Sequence, residues 1–179
     1  MRIFHTKKMM FVLFILGFLI GILYVNLASG QFVADSGVFS DYFLNQYASV
    51  TICTEEYVIY LMGVRLVPFL IMVGLSFTKM RKVSAYIFLV WTGFSGGMLL
   101  SMAAYSMGSR GILLCMAGIF PHFLFYIPAY LVVLWYAVVY PQNRWNRQKT
   151  IFVVLMLAMG LVLEGCVNPV LMRMFVKLM

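Results

Sequence analysis

Long apolar runs alternate with short polar segments along the whole chain. Five of these runs are near or above the ~20 residues that an α-helix needs to cross a bilayer. They cover residues 9–27, 57–77, 83–107, 111–140 and 150–168. The pattern predicts an all-α integral membrane protein, a bundle of about five transmembrane helices. We expect residues 1–179 to form a single transmembrane domain, with an outer loop over residues 28–56.

The first apolar run has the layout of either a membrane anchor or a signal peptide. It follows Arg2, Lys7 and Lys8 and ends near the small residues of 28–30. A cleaved signal peptide shows the same order of basic, apolar and small residues. The apolar part is long for a signal peptide, so we favour a retained anchor.

Composition supports the membrane assignment and excludes several other classes. Of 179 residues, 64% are hydrophobic and 10% are charged, which is more apolar surface than a small soluble domain can bury. The net charge of +8 comes from basic residues in short loops between the apolar runs, so we expect no nucleic-acid partner. Cys53, Cys115 and Cys166 show no C-x-x-C spacing, so we expect neither a metal site nor a cofactor.

The basic residues divide unevenly between the two sides of the membrane. With the N-terminus placed in the cytoplasm, nine of them fall inside: Arg2, Lys7, Lys8, Lys79, Arg81, Lys82, Arg144, Arg147 and Lys149. Three fall outside: Arg110, Arg173 and Lys177. Because Lys and Arg concentrate on the cytoplasmic side, this bias predicts a cytoplasmic N-terminus and an external C-terminus.

Two segments on the outer side have the pattern of short amphipathic helices. In the outer loop, apolar residues recur at spacings of four, four and three, at Phe39, Phe43, Tyr47 and Val50. Near the C-terminus, one helical face collects Leu171, Met174, Phe175 and Leu178. We expect both segments to lie against the outer face of the membrane, with a plain ordered loop as the alternative for the first.

Small residues are unusually dense in the third run. Gly93, Gly96 and Gly97 include a spacing that lets two helix backbones approach closely. The approaching helix could belong to the same bundle or to a second copy of the chain, and the pattern does not choose between them.

Two charged residues lie inside apolar runs. Arg65 is in the second run and Glu164 is near the end of the fifth, and by the topology above both lie toward the outer leaflet. A lone charge in hydrocarbon costs several kcal/mol, so such residues pair with each other or face a cavity. The two could form an ion pair, or meet through water or a polar neighbour. They either lock the bundle without chemistry or line an outward-facing polar pocket that binds something.

The fourth run combines excess length with two prolines and a histidine. As a straight helix its 30 residues would reach about 45 Å, longer than the ~30 Å hydrocarbon core. Pro121 and Pro128 leave the carbonyls of Ala117 and Leu124 without their usual donors. We expect a kink with a buried, hydrogen-bonded His122, or a half-helix or re-entrant turn that lines an outer cavity.

No catalytic motif is present. A membrane metalloprotease would need H-E-x-x-H or similar spacing, and the other histidine is His5 in the N-terminal tail. A membrane serine protease would need a Ser–His pair, and no sequence motif supports pairing Ser101 or Ser106 with His122. We therefore predict a protein that is not an enzyme.

Four pieces of the sequence line up, in order, with the stage II sporulation protein M family. EYVIYLMGVRL at 56–66 resembles the entry to the second span in its shorter members. GFSGGMLLSMAAYSMGSRGILL resembles the Gly-rich helix and polar turn of that family. PHFLFYIPA at 121–129 resembles its PHGI-x-E-L-PA signature, although Phe123 and Tyr126 replace the Gly and the Glu. LVLEGCVNP at 161–169 resembles its C-terminal ending, with Asn168 in place of Ser or Thr. The resemblance spans roughly residues 10–172.

That resemblance implies a multi-span protein of the bacterial plasma membrane. In spore formation, such a protein is similar to a scaffold that holds peptidoglycan-degrading partners at the septum during engulfment. Other members accompany peptide-export or circular-bacteriocin systems. The first hypothesis is thus a scaffold for other membrane or cell-wall proteins. The alternative is a component of an export or immunity system that acts with an ABC transporter.

The sequence offers six candidate structural or pocket positions, each with a residue type that is uncommon inside a membrane span. They are Arg65, Pro121, His122, Pro128, Glu164 and Asn168.

Overall fold

The structure, a computed structural model, describes residues 2–27 and 54–178. The α-helices are α1 (Arg2–Leu27), α2 (Thr54–Ser76), α3 (Arg81–Met107), α4 (Ser109–Val139), α5 (Arg147–Val162) and α6 (Asn168–Leu178). A π-helical turn, Leu163–Val167, joins α5 to α6. Of the described residues, 92% are helical and none lies in a strand. The all-α prediction is confirmed.

Five helical stretches are long and apolar enough to cross a membrane. Four belong to α1 through α4, and the fifth runs from Arg147 to Phe175 through the π turn. Large apolar side chains on these stretches stay exposed, among them Phe11 at 65%, Ile59 at 71% and Phe120 at 71%. Such exposure suits contact with lipid rather than with water. The structure therefore has the five spans that the sequence predicts.

The fourth span is one continuous helix. Pro121 and Pro128 both lie inside α4, which has 31 residues. The predicted break, in the form of a half-helix or re-entrant turn, is therefore not present. Proline fits the φ of an α-helix and removes only one hydrogen bond at each position, so the flanking bonds can carry the helix through. A bend at the two prolines remains a prediction.

The fifth span begins earlier and ends later than the predicted range 150–168. Asn146 caps α5, because its side-chain oxygen accepts a hydrogen bond of 3.0 Å from the backbone N–H of Lys149. At the other end, α6 continues from the π turn as far as Leu178. The position of residues 171–178 against the membrane face remains a prediction. The predicted amphipathic helix of Phe39–Val50 lies outside the described residues.

The chain divides into two compact units. Among the described residues, unit one comprises 2–9, 54–88 and 120–168, and unit two comprises 10–27, 89–119 and 169–178. In unit one, the ring of Tyr130 packs between Phe69 and Phe88, with centroid distances of 5.0 Å and 5.2 Å. The single transmembrane domain over residues 1–179 stays a prediction.

In unit two, α1 and α3 are in backbone contact. A Cβ atom added to Gly93 would lie 2.2 Å from the carbonyl oxygen of Phe14, and one added to Gly97 would lie 2.2 Å from that of Phe18. The glycines at this contact are Gly17, Gly21, Gly93 and Gly97. Gly93 and Gly97 are thus buried against a helix of the same chain. Self-association through Gly93, Gly96 and Gly97 remains a prediction.

A single glycine links α3 to α4. Gly108 has a φ of 61°, in the left-handed region that favours glycine, and its N–H donates to the carbonyl of Ala104 at 2.9 Å. The short link makes α3 and α4 consecutive spans, as the sequence predicts.

The glycine contact predicts that two Gly→Ala substitutions differ strongly in their effect on the free energy of unfolding. Gly97→Ala should lower the free energy of unfolding by about 1–3 kcal/mol, because the new methyl group overlaps the Phe18 carbonyl. Gly63→Ala in α2 is the matched control, since a Cβ there meets nothing within 4 Å. Thermal unfolding in detergent measures both variants. Equal melting temperatures for the two would contradict a backbone contact at Gly97.

Candidate functional site

One face of α4 is buried along much of its length. Buried side chains recur every three or four residues, at His122, Tyr126, Ala129, Val133 and Ala137. The two polar members, His122 and Tyr126, are one helical turn apart and so share this inward face. Their rings lie 5.8 Å apart between centroids.

Glu164 approaches this face from the π turn. The backbone N–H of Asn168 donates to the carbonyl of Leu163, five residues earlier, which is the hydrogen bond of a π-helix. Pro169 follows directly, within α6, and has no N–H, so it cannot donate to the carbonyl of Gly165 four residues earlier. Glu164 lies within this turn and is only 4% exposed.

Arg65 of α2 forms an ion pair with Glu164. Its Nε donates to both carboxylate oxygens, at 2.9 Å to Oε1 and 3.0 Å to Oε2, and its Nη2 also donates to Oε1. The direct pair is one of the arrangements that the sequence allows. The Arg65 side chain is 34% exposed while that of Glu164 is 5% exposed. The carboxylate is therefore the more deeply buried partner, and it depends most on the contact.

Tyr126 supplies the second donor to the same carboxylate. Its hydroxyl donates to Glu164 Oε2 at 2.8 Å. The Arg65 guanidinium lies 5.7 Å from the Tyr126 ring centroid, within the range of a cation–π contact. Gly160, one turn before Glu164, leaves space for the tyrosine, since a Cβ there would lie 2.5 Å from a ring carbon. Both carboxylate oxygens are thus held by donors from other helices.

His122 completes a group that we call the polar cluster: Arg65, His122, Tyr126 and Glu164. The Nε2 atom of His122 lies 3.7 Å from Glu164 Oε1, which is too far for a hydrogen bond. Its Nδ1 atom is buried and has no hydrogen-bond partner among the described residues. The sequence predicts a hydrogen-bonded His122, whose partner would be a freed carbonyl or an acidic side chain. In the described part of the chain, neither hydrogen bond is found.

The remaining predicted positions do not join the polar cluster through hydrogen bonds. Pro121 and Pro128 lie within α4, half-buried. Asn168 ends the π turn, and its buried Oδ1 has no hydrogen-bond partner within residues 2–27 and 54–178. Of the six predicted positions, the structure brings together Arg65, His122 and Glu164.

In the sequence, Tyr126 stands out only as a departure from a family signature. Its spacing of four residues from His122 was the available signal, because that spacing puts both on one helical face. The π turn has no comparable signal in the sequence. Glu164, Gly160 and Tyr126 come together only because the helices pack as they do.

The polar cluster is suited to holding helices together rather than to binding a metal. Within the described residues, no group of three His, Cys, Asp or Glu side chains is placed to hold a metal ion. Glu164 and His122 are two such groups, but the arginine occupies the carboxylate. A cation of the protein already neutralises the acid, so the pair links α2, α4 and the π turn without net charge.

Comparison with known proteins gives no match. No family model matches the chain, and neither does any curated protein or any solved structure. The resemblance to stage II sporulation protein M therefore rests on the sequence features alone.

The hydrogen bond from Tyr126 predicts a selective effect of removing one hydroxyl. Tyr126→Phe should lower the free energy of unfolding by about 1–2 kcal/mol, because a buried carboxylate loses a donor. Tyr130→Phe, one turn further along α4, is the control, since among the described residues no acceptor for its hydroxyl is found. Chemical unfolding in mild detergent measures both. A Tyr126→Phe variant as stable as the wild type would show that the hydroxyl does not hold Glu164.

Proposed function

We propose that the chain is a non-catalytic scaffold or assembly factor of the bacterial plasma membrane, of the stage II sporulation protein M type. It would hold cell-envelope partners, such as proteins that remodel septal peptidoglycan during engulfment. The observation that carries this proposal is the occupation of both Glu164 oxygens by Arg65 and Tyr126. A carboxylate held in this way is suited to structure rather than to reaction.

The requirements of acid–base catalysis point in the same direction. A general base needs a carboxylate oxygen within reach of a substrate proton. The chain has five acidic residues, and Glu164 is the one within an apolar run. Its hydrogen bonds to Arg65 and Tyr126 leave it as an anchor between spans. This favours a protein that acts by holding its partners.

Two pieces of the family resemblance, one of them its most specific part, meet at one hydrogen bond. Tyr126 belongs to PHFLFYIPA and Glu164 belongs to LVLEGCVNP, and the hydroxyl of the first donates to the carboxylate of the second. Tyr126 takes the place of the acid in the family signature. In this chain, the residue at that position is a neutral hydrogen-bond donor to Glu164. The contact supports treating both pieces as parts of one structural element.

The positive-inside bias supports the orientation in this proposal. The N-terminus would lie in the cytoplasm and the C-terminus outside. The polar cluster would then lie toward the outer leaflet, and the one-third exposed Arg65 would contribute to a partner surface together with the outer amphipathic segments.

The alternative function is a membrane component of a peptide-export or immunity system that acts with an ABC transporter. The specific observation in its favour is His122, whose buried Nδ1 lacks a hydrogen-bond partner among the described residues. Buried polar groups inside membrane spans often mark a path for a substrate or ion.

Thiol labelling separates the two functions. In a variant without native cysteines, Val133→Cys on the buried face of α4 tests the interior. The control is Ser109→Cys, at the exposed first residue of α4. We expect a membrane-impermeant thiol reagent added to intact cells to label Ser109→Cys and to leave Val133→Cys unlabelled. A scaffold has a sealed interior, whereas a transporter has a water-filled path.

Two outcomes would contradict the proposal. Labelling of Val133→Cys at a rate near that of Ser109→Cys would support the transport function instead. Labelling of Ser109→Cys only after the cells are permeabilised would reverse the proposed orientation.

A further inference from the structure

A half-enclosed cavity of about 260 Å³ lies in unit one, away from the polar cluster. Its walls are formed by Thr6 of α1, Lys82 of α3 and residues 138–142 at the end of α4. The volume exceeds the space that one water molecule needs. Thr6, Lys82 and Gln142 are the polar residues of its lining besides Tyr140, while Val138, Val139 and Pro141 make it partly apolar.

Aromatic rings hold two further cations beside this cavity. The guanidinium carbon of Arg81 lies 3.7 Å from the centroid of the Tyr140 ring, and Tyr140 is itself part of the cavity wall. The ammonium of Lys7 lies 5.4 Å from the centroid of the Trp135 ring. Cation–π contacts keep both charges in place without neutralising them. Positive charges are therefore held in place near the cavity before any ligand binds.

The chain supplies no acid nearby in sequence to balance this charge. Segments 2–8, 79–82 and 144–149 contain nine Lys and Arg residues and no Asp or Glu. The five acids are Asp35, Asp41, Glu55, Glu56 and Glu164. Of these, Glu164 is paired with Arg65. Within the described residues, no Asp or Glu forms an ion pair with the basic end of unit one, so an anion from another molecule can balance its charge.

The aromatic side chains near the cavity are of the kind that lies at the level of lipid headgroups. Trp145, Tyr136 and Phe77 form an aromatic group at the same basic end, with centroid distances of 5.3 Å and 5.9 Å from Trp145. Such belts lie at the boundary between hydrocarbon and water. Met80 and Val83, which flank Arg81 and Lys82 in sequence, are exposed apolar side chains. An acyl chain could lie along these two side chains, whereas a free inorganic anion would make no use of them.

The geometry points to a binding site for the headgroup of an anionic phospholipid in this cavity. The phosphate would lie against Lys82 and Thr6, with Arg81 held on the ring of Tyr140 beside the cavity. The acyl chains would extend along the exposed apolar side chains. Basic pockets between membrane helices recognise anionic headgroups in this way. The site goes beyond the proposed scaffold function and does not depend on it.

Lipid binding to the full-length protein tests the site directly. The purified protein is titrated with phosphatidylglycerol or phosphatidylcholine, and native mass spectrometry counts the bound lipid. We expect phosphatidylglycerol to bind more tightly than phosphatidylcholine, and Lys82→Gln to weaken phosphatidylglycerol binding about fivefold. Lys82→Arg, which keeps the charge, should stay within about twofold of the wild type.

Lys79→Gln is the matched control for charge. Lys79 is exposed, lies three residues from Lys82 and does not line the cavity, so its substitution should change phosphatidylglycerol binding less than about twofold. Should Lys82→Gln fail to fold, Thr6→Val serves in its place and should weaken binding about two- to threefold.

Three results would overturn the inference. Equal losses in Lys82→Gln and Lys79→Gln would show attraction to the whole basic surface instead of to the cavity. Equal binding of phosphatidylglycerol and phosphatidylcholine would remove the role of the charge. Displacement of phosphatidylglycerol by millimolar inorganic phosphate, at constant ionic strength, would identify a site for a free anion instead of a lipid.

Discussion

A buried carboxylate inside an apolar span must be neutralised before the surrounding helices can pack around it. Glu164 meets this requirement through Arg65 and Tyr126, which belong to two different helices. Because an unpaired charge in hydrocarbon costs several kcal/mol, the positions of α2, α4 and the π turn in unit one are coupled through this carboxylate. The packing of Gly160 against the Tyr126 ring and the burial of His122 are both consistent with that coupling.

The two units achieve close helix packing by different physical means. In unit two, the absence of side chains at Gly17, Gly21, Gly93 and Gly97 lets two backbones touch, so packing depends on shape. In unit one, charge and hydrogen bonds specify which side chains must meet. Shape alone tolerates sliding along a helix more easily than a directed ion pair does. The polar cluster is therefore the more specific constraint in the chain.

The sequence was sufficient to predict the parts of the structure that depend on local composition. Five apolar runs of sufficient length predicted five spans, and the rarity of charges inside them singled out Arg65 and Glu164. Pro121 and Pro128 predict either a kinked or a broken fourth span. The break is absent, since α4 is continuous and losing two hydrogen bonds does not outweigh those that remain, while the kink stays a prediction. The role of Tyr126 and the π turn depend on contacts between distant segments, which no local pattern encodes.

The most direct measurement for this account is a double-mutant cycle on Arg65 and Glu164. The free energy of unfolding would be measured for Arg65→Met, Glu164→Gln and the double variant in the same detergent. We expect Arg65→Met alone to cost about 3 kcal/mol, because it leaves a buried carboxylate unpaired, and the double variant to be more stable than Arg65→Met. Strictly additive effects of the two substitutions would contradict the claim that this ion pair holds the spans of unit one together.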